Sequence, residues 1–150
     1  MSEFDQLYRE VILDHYKNPR GHGLLDTPDG VAEGQNPLCG DEITVALRVD
    51  DGVVTEATFQ GAGCSISQSS ASMMTEAITG STVQASLDLA ASFRGMMAGE
   101  VEPDEATFGD LVALKGVVKY PIRIKCAVLA WDVLQEALAG AGEATASAAH

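Results

Sequence analysis

The stretch ITVALRVDDGVVTEATF, residues 43–59, decides the fold because it contains two strands and the turn between them. Apolar and polar side chains alternate along residues 43–49 and again along residues 53–59, and this period of two is typical of strands with one buried face. Asp50-Asp51-Gly52 between them is a hairpin signal. The two strands are therefore predicted to pair antiparallel, with an apolar face that other elements must cover.

Helices are predicted on both sides of this hairpin. Upstream, apolar side chains recur at helical spacing over residues 3–17, and Asn18-Pro19 ends this helix because a residue before proline avoids the helical region. Downstream, a helix is predicted over residues 65–79 with Ser65 as its N-cap. The other predicted elements are a short strand at 31–36, a helix that begins with the capping-box spacing of Ser81 and Gln84 and ends near Met97, a short helix near 108–114, and a last helix that begins at Pro121.

The length of the chain fits one domain. At 150 residues and 46% hydrophobic composition, it can bury a core without disulfide staples. The apolar face of the last helix ends near Leu138, and the residues beyond it are mostly alanine, glycine, serine and threonine. We therefore expect one domain over residues 1–139 and a flexible Ala/Gly-rich tail over residues 140–150.

The charge of the chain excludes several classes of partner. It has 22 acidic and 9 basic residues and a formal net charge of −13, so phosphate backbones and anionic lipids would be repelled. We expect neither nucleic-acid nor membrane partners. The first residues lack the basic segment and apolar core of a signal peptide, and no apolar run is long enough to span a bilayer. A cytoplasmic location is expected, where thiols are kept reduced.

Each of the three cysteines lies beside a predicted break in secondary structure. Cys39 precedes the first hairpin strand, Cys64 follows a glycine turn at a helix start, and Cys126 lies in the first turns of the last helix. The positive end of a helix dipole favours the thiolate form of cysteine. Arg123 shares a helix face with Cys126, and Lys125 is its neighbour in sequence, so we expect these cations to support the anionic sulfur.

Three thiolates together with Asp41 would require a cation to neutralise them. Zinc accepts tetrahedral sulfur ligands together with a carboxylate. The spacing of Cys39, Asp41, Cys64 and Cys126 is not that of a zinc finger, so the tertiary fold would have to assemble such a site. The alternative is that individual cysteines are inert core residues, because free cysteine is among the most often buried residue types.

Other patterns in the sequence do not support a site. Gly61-Ala62-Gly63 suggests a dinucleotide loop, but Ile66 occupies the position of the third small residue and the strands form a hairpin rather than a βαβ unit. His15, His22 and His150 have no ligand spacing. The serines between residues 65 and 72 have no His/Asp pattern of a hydrolase.

Several segments together resemble a known family. They are LYREVILDHYKNPR (7–20), NPLCGD (36–41), GAGCSIS (61–67), ASMMTE (71–76) and PIRIKCAVLAW (121–131). In this order they resemble SufU-type proteins, within the wider IscU/NifU N-terminal family of iron–sulfur cluster assembly proteins. The resemblance covers roughly residues 4–138.

This resemblance implies an α+β fold with a three-stranded antiparallel sheet covered by helices. It also implies that zinc is held by Cys39, Asp41, Cys64 and Cys126, and that Cys39 is the catalytic residue that accepts sulfur. The donor would be the persulfide of a SufS-type, pyridoxal-phosphate cysteine desulfurase, and the sulfur would pass to the downstream iron–sulfur assembly machinery. The protein would then be a sulfurtransferase-type accessory protein.

Two features separate the branches of this family. Scaffold-type relatives carry a histidine just before the third cysteine, where this chain has Lys125, and 61 residues separate Cys64 from Cys126 here. A protonated lysine cannot replace histidine as a ligand. Both features favour zinc-dependent sulfur transfer. The alternatives are a scaffold that holds iron or a [2Fe–2S] cluster, and a structural zinc domain that acts only as a binding module.

Overall fold

The predicted hairpin forms the centre of a three-stranded antiparallel sheet in the order β1-β2-β3. The computed structural model describes residues 3–23, 25–36, 40–102 and 105–148. The elements are α1 (Glu3–Lys17), β1 (Gly30–Asn36), β2 (Asp41–Asp50), β3 (Val53–Ala62), α2 (Ser65–Ile78), α3 (Val83–Met97), α4 (Glu105–Phe108), a 3₁₀ segment (Gly109–Lys119) and α5 (Pro121–Ala148). The predicted α+β fold class is confirmed.

One face of the sheet forms the core, as the alternation of residues 43–47 and 57–59 predicts. Near the turn the predicted alternation is wrong, because a register shift between Arg48 and Val49 leaves Val54 buried and Thr55 exposed. Val45 pairs with Phe59 and Leu47 pairs with Ala57, and all four side chains are buried. Their face packs against α5 and α2, while α1 lies against α2 and the 3₁₀ segment. No helix in the described part of the chain is long and apolar enough to cross a membrane.

The last helix is longer than the sequence predicts. We expected it to end near residue 139, but α5 continues to Ala148, and Ala141 is buried. Ala141 packs closely beside β1, since a Cβ atom at Gly30 would lie 2.9 Å from the Cβ atom of Ala141. The division into a domain and a flexible tail stays a prediction.

Two helices begin one residue away from their predicted caps. Cys64, not Ser65, is the N-cap of α2, and its side chain makes no capping hydrogen bond. Thr82, not Ser81, caps α3 by accepting a hydrogen bond from the Ala85 amide. Ser81 cannot take that role because its carbonyl accepts a hydrogen bond from the Val54 amide, which holds it beside β3.

A buried histidine joins three helical elements. The His15 side chain is fully buried; its Nδ1 lies 2.7 Å from Ser72 Oγ on α2 and its Nε2 lies 2.8 Å from Asp110 Oδ2 on the 3₁₀ segment. Ser72 Oγ also accepts a hydrogen bond from the Arg20 amide at 2.8 Å. These bonds fix α1 and the loop after it on the rest of the fold.

We expect His15→Phe to lower the free energy of unfolding by about 1–3 kcal/mol, because Ser72 would lose a buried hydrogen-bond partner. Denaturant unfolding followed by circular dichroism measures the change. His22→Phe is the matched control. His22 is exposed, and the contact described for its side chain is an edge-to-face ring contact with Phe59, which phenylalanine can also make. Equal stability of the two variants would contradict this role for His15.

Candidate metal centre

Three elements that are distant in sequence bring Asp41, Cys64 and Cys126 together. Asp41 begins β2, Cys64 precedes α2, and Cys126 lies in the second turn of α5. One carboxylate oxygen and the two sulfur atoms all lie within 4.8 Å of one another. The tertiary fold thus brings these three side chains together, which their spacing in the sequence alone does not predict.

The carboxylate of Asp41 is almost completely buried and orients Cys64. Its Oδ1 accepts a hydrogen bond from the Cys64 amide at 2.8 Å, and its Oδ2 lies 3.9 Å from Cys64 Sγ. Only 1% of Asp41 is exposed. A buried carboxylate costs free energy unless a positive charge or hydrogen bonds compensate it, so this position favours a cation between Asp41 and the sulfur atoms.

Cys64 lies at the amino-terminal end of α2 and is partly exposed. Ser67 is fully buried, and its Oγ donates a hydrogen bond to the Cys64 carbonyl at 3.1 Å and lies 3.9 Å from Cys64 Sγ. Ser67 therefore fixes the backbone that presents this thiol.

Cys126 is fully buried beside the amide of Asn36. Its Sγ accepts a hydrogen bond from Asn36 Nδ2 at 3.8 Å and lies 3.8 Å from the Ile122 carbonyl oxygen. The residue directly after Cys126 is held by Ser70, whose Oγ donates to the Ala127 carbonyl at 2.6 Å. Cys126 is thus held on a helix whose backbone is bonded to α2.

Ser70 also accepts a hydrogen bond from the indole of Trp131 at 3.2 Å. Trp131 is fully buried and stacks on Phe93 with ring centroids 4.8 Å apart. The functional positions that sequence reasoning missed are therefore Asn36, Ser67 and Ser70. The contacts of Asn36 and Ser70 join distant segments, whereas Ser67 contacts Cys64 within one helical turn. No periodicity or ligand spacing indicates these three roles.

The other predicted site residues are Cys39, Arg123 and Lys125. Cys39 lies outside the described residues, between Asn36 and Gly40. Arg123 and Lys125 are exposed on the first turns of α5. The roles assigned to these three side chains stay predictions.

The donor set fits a divalent metal ion. Two sulfur atoms and one carboxylate oxygen are three of the four ligands of a tetrahedral site, and all three come from the predicted set. Among the described residues, a second group of possible ligands joins His15, Glu76 and Asp110. There both ring nitrogens of His15 are already bonded and Arg20 Nε lies 3.5 Å from Glu76 Oε2, so this second group is a structural network.

A cavity of about 560 Å³ opens beside the cluster. Ser65 and Ile66, which follow Cys64 directly, form part of its wall. Its other lining side chains come from α1, the 3₁₀ segment and α5, and include Arg9, Ile12, Val117, Lys119, Tyr120 and Arg123. Basic and apolar groups are therefore concentrated next to the cluster, in a chain with a net charge of −13.

This α+β chain is similar in sequence to known proteins. The family model of the NifU-like N-terminal domain matches residues 7–127. The zinc-dependent sulfurtransferase SufU of Bacillus subtilis is 46% identical over 92% of this chain and 93% of its own length. The iron–sulfur cluster assembly scaffold protein IscU of Streptococcus pyogenes serotype M1 is 41% identical over 92% of this chain and 86% of its own length.

A solved structure shows the same architecture. The N-terminal part of a nitrogen-fixing NifU-like protein from Brucella abortus superposes with a TM-score of 0.84 at 28% identity, over 95% of this chain and 99% of that one. The chain belongs to the family of NifU-like N-terminal domains. The predicted resemblance to SufU-type and IscU-type iron–sulfur cluster assembly proteins is confirmed.

The approach of Asp41 to the Cys64 amide depends on Gly63. A Cβ atom at Gly63 would collide with Asp41 Oδ1 and lie 2.8 Å from Ser67 Oγ. We expect Gly63→Ala to lower the free energy of unfolding by about 1–3 kcal/mol, because the carboxylate must move away. Denaturant unfolding measures this loss, and faster hydrogen exchange of the Cys64 amide would report the broken bond.

Gly140→Ala is the matched control, since no heavy atom lies within 4 Å of an added Cβ there. The expectation would be wrong if Gly63→Ala kept both the stability and the Cys64 amide protection of the unmodified protein.

Proposed function

We propose that this protein is a zinc-dependent sulfur acceptor that takes persulfide sulfur from a pyridoxal-phosphate cysteine desulfurase for iron–sulfur cluster assembly. The observation that carries the proposal is the convergence of Asp41, Cys64 and Cys126 within 4.8 Å of one another. The name and the 46% identity of the Bacillus subtilis relative support the choice of zinc and of sulfur transfer.

Asp41, Cys64 and Cys126 would hold zinc together with Cys39. Bound zinc keeps cysteine sulfur atoms deprotonated, and it masks them until a ligand is released. Chain connectivity supports Cys39 as the fourth ligand, because two residues of chain keep its Cα atom within about 7 Å of the Cα atom of Asp41. Asn36 and Asp41 pair across β1 and β2, so the segment that contains Cys39 is short and closed at both ends.

Cys39 is the best candidate for the sulfur acceptor because the other two thiols are held by helices. Cys64 is fixed by Asp41 and by the first turn of α2, and Cys126 is buried in α5. Cys39 instead lies between Pro37 and Gly40, and Gly40 adopts a left-handed φ of 70°. Such a turn favours glycine and lets the chain change direction next to the reacting sulfur.

The transfer itself is thiol–persulfide exchange. The Cys39 thiolate attacks the terminal sulfur of the persulfide on the desulfurase, and a new sulfur–sulfur bond forms at Cys39. The sulfur–sulfur bond of the donor breaks, and its cysteine leaves as a thiolate. The exchange conserves oxidation level overall, so it needs no added oxidant or reductant.

The cavity beside the cluster supports a docking role for the same face. Arg9, Lys119 and Arg123 line it together with Tyr120, which is about two-thirds exposed, as is Ile122 between Tyr120 and Arg123 in sequence. Exposed apolar side chains with a basic rim fit a partner surface that is apolar at its centre and acidic at its edge. We assign this face to the desulfurase, whose persulfide must reach Cys39.

A scaffold for a [2Fe–2S] cluster is the second candidate function. The 41% identity to a protein named as an IscU scaffold favours it. Lys125 argues against it, since this exposed side chain occupies the place of a histidine ligand. Elemental analysis and visible absorption after anaerobic purification separate the two, because zinc gives no visible bands and a cluster does.

We expect Cys39→Ser to fold normally but to take no sulfur from the desulfurase persulfide, because serine offers no thiolate. Intact-protein mass spectrometry after incubation with the desulfurase and free cysteine measures the added sulfur. Ser81→Ala, far from the cluster, is the control and should load as the unmodified protein does. Equal loading of Cys39→Ser would refute the assignment of the acceptor.

We expect Lys119→Glu to raise the concentration needed for half-maximal stimulation of the desulfurase roughly tenfold, a loss of about 1.4 kcal/mol in binding, and to leave the maximal rate unchanged, because Lys119 lines the cavity and is exposed. Steady-state assays of alanine formation from cysteine measure both quantities. Lys17→Glu reverses an exposed charge away from the cavity and should change neither. A similar rise in both variants would mean that net charge, not this face, sets the affinity.

A further inference from the structure

Asn36 places a side-chain amide against the buried sulfur of Cys126. Asn36 is the last residue of β1, and only 7% of it is exposed. Its Nδ2 donates a hydrogen bond to Cys126 Sγ at 3.8 Å, across 90 positions in sequence. It also pairs with Asp41 on β2. One rung of the sheet therefore carries both a carboxylate of the cluster and a donor to one of its sulfur atoms.

The two polar contacts described for Cys126 Sγ have opposite preferences. The Ile122 carbonyl oxygen, 3.8 Å away, can only accept, so it interacts favourably with the protonated thiol. The amide N–H of Asn36 can only donate, so it stabilises the sulfur most strongly when the sulfur is anionic.

We propose that Asn36 is a positioning residue that orients the sulfur of Cys126 and keeps it a permanent ligand of the metal. The proposal rests on the proposed zinc site, and it extends that site by a residue outside the ligand set. A hydrogen bond to a thiolate withdraws electron density from the sulfur, which makes it a poorer nucleophile and orients it toward the metal. Asn36 thereby keeps Cys126 out of the sulfur exchange that we assign to Cys39.

The location of Asn36 makes this selection possible. It ends β1 directly before the segment that contains Cys39, and its pairing with Asp41 closes that segment. Backbone pairing therefore fixes the donor to Cys126 at the same rung of the sheet that carries Asp41.

The test compares zinc affinity and the spectrum of the cobalt(II)-loaded protein in Asn36→Leu and in a neighbouring control. We expect Asn36→Leu to bind zinc about 10- to 100-fold more weakly in competition with a chromophoric chelator. The sulfur-to-cobalt charge-transfer band should move to longer wavelength, because the sulfur lone pair loses a stabilising donor. Asn36→Gln keeps an amide donor and should restore part of both properties.

Gln35→Leu is the matched control, since it removes an exposed amide from the same strand. It should leave zinc affinity and the cobalt band unchanged. The proposal is overturned if Asn36→Leu matches Gln35→Leu in both measurements. Thermal unfolding of the metal-free proteins is recorded first, and Asn36→Ala replaces Asn36→Leu if the larger side chain prevents folding.

The same assay separates this proposal from the proposed function. Cys126→Ser removes the sulfur itself and should weaken zinc binding more than any Asn36 variant does. If Cys126→Ser bound zinc as tightly as the unmodified protein, the zinc site would be wrong. If Cys126→Ser lost zinc affinity but the Asn36 variants kept full zinc affinity and an unchanged cobalt charge-transfer band, the zinc site would be supported and the role of Asn36 would be wrong.

Discussion

The buried carboxylate of Asp41 joins the start of β2 to the start of α2, and the geometry of the cluster depends on this contact. Asp41 Oδ1 accepts a hydrogen bond from the Cys64 amide at 2.8 Å. This bond holds the sheet and α2 in one orientation on either side of the glycine turn. The approach is possible because Gly63 has no side chain, and a Cβ atom there would occupy the space of the carboxylate. The same group that orients Cys64 is available as a metal ligand.

The third member of the cluster reaches it through packing of the last helix. α5 lies across β1 and β2 and against α2, and its backbone is bonded to α2 through Ser70. The indole of Trp131 donates to the same hydroxyl. Buried polar groups of this kind are stable only when they are fully hydrogen-bonded, so they define one relative position of the two helices. That position sets the separation of Cys64 and Cys126.

Local patterns in the sequence were sufficient for the sheet and for most helices. The alternation of residues 43–59 predicts β2 and β3, and helical spacing predicts α1 over the residues where it is found. Predictions failed where a distant segment decides the outcome. The carbonyl of Ser81 is bonded beside β3, which moves the cap of α3 to Thr82.

In the candidate site, too, the sequence predicts some residues, and contacts between distant segments decide the others. Residue types and motif resemblance predict Asp41, Cys64 and Cys126, because ligand chemistry is visible in the side chains themselves. They do not predict Asn36 or Ser70, since an amide or a hydroxyl has many ordinary uses. Only the folded chain places the Asn36 amide against the Cys126 sulfur and the Ser70 hydroxyl against the Ala127 carbonyl.

Zinc K-edge X-ray absorption of the purified protein tests the central claim most directly, because it counts sulfur ligands without reference to activity. The proposed site predicts three sulfur atoms at about 2.3 Å and one oxygen at about 2.0–2.2 Å from the metal. A spectrum with two or fewer sulfur ligands, or with bound zinc that keeps all its sulfur ligands when Cys64 and Cys126 are both replaced by serine, would contradict it.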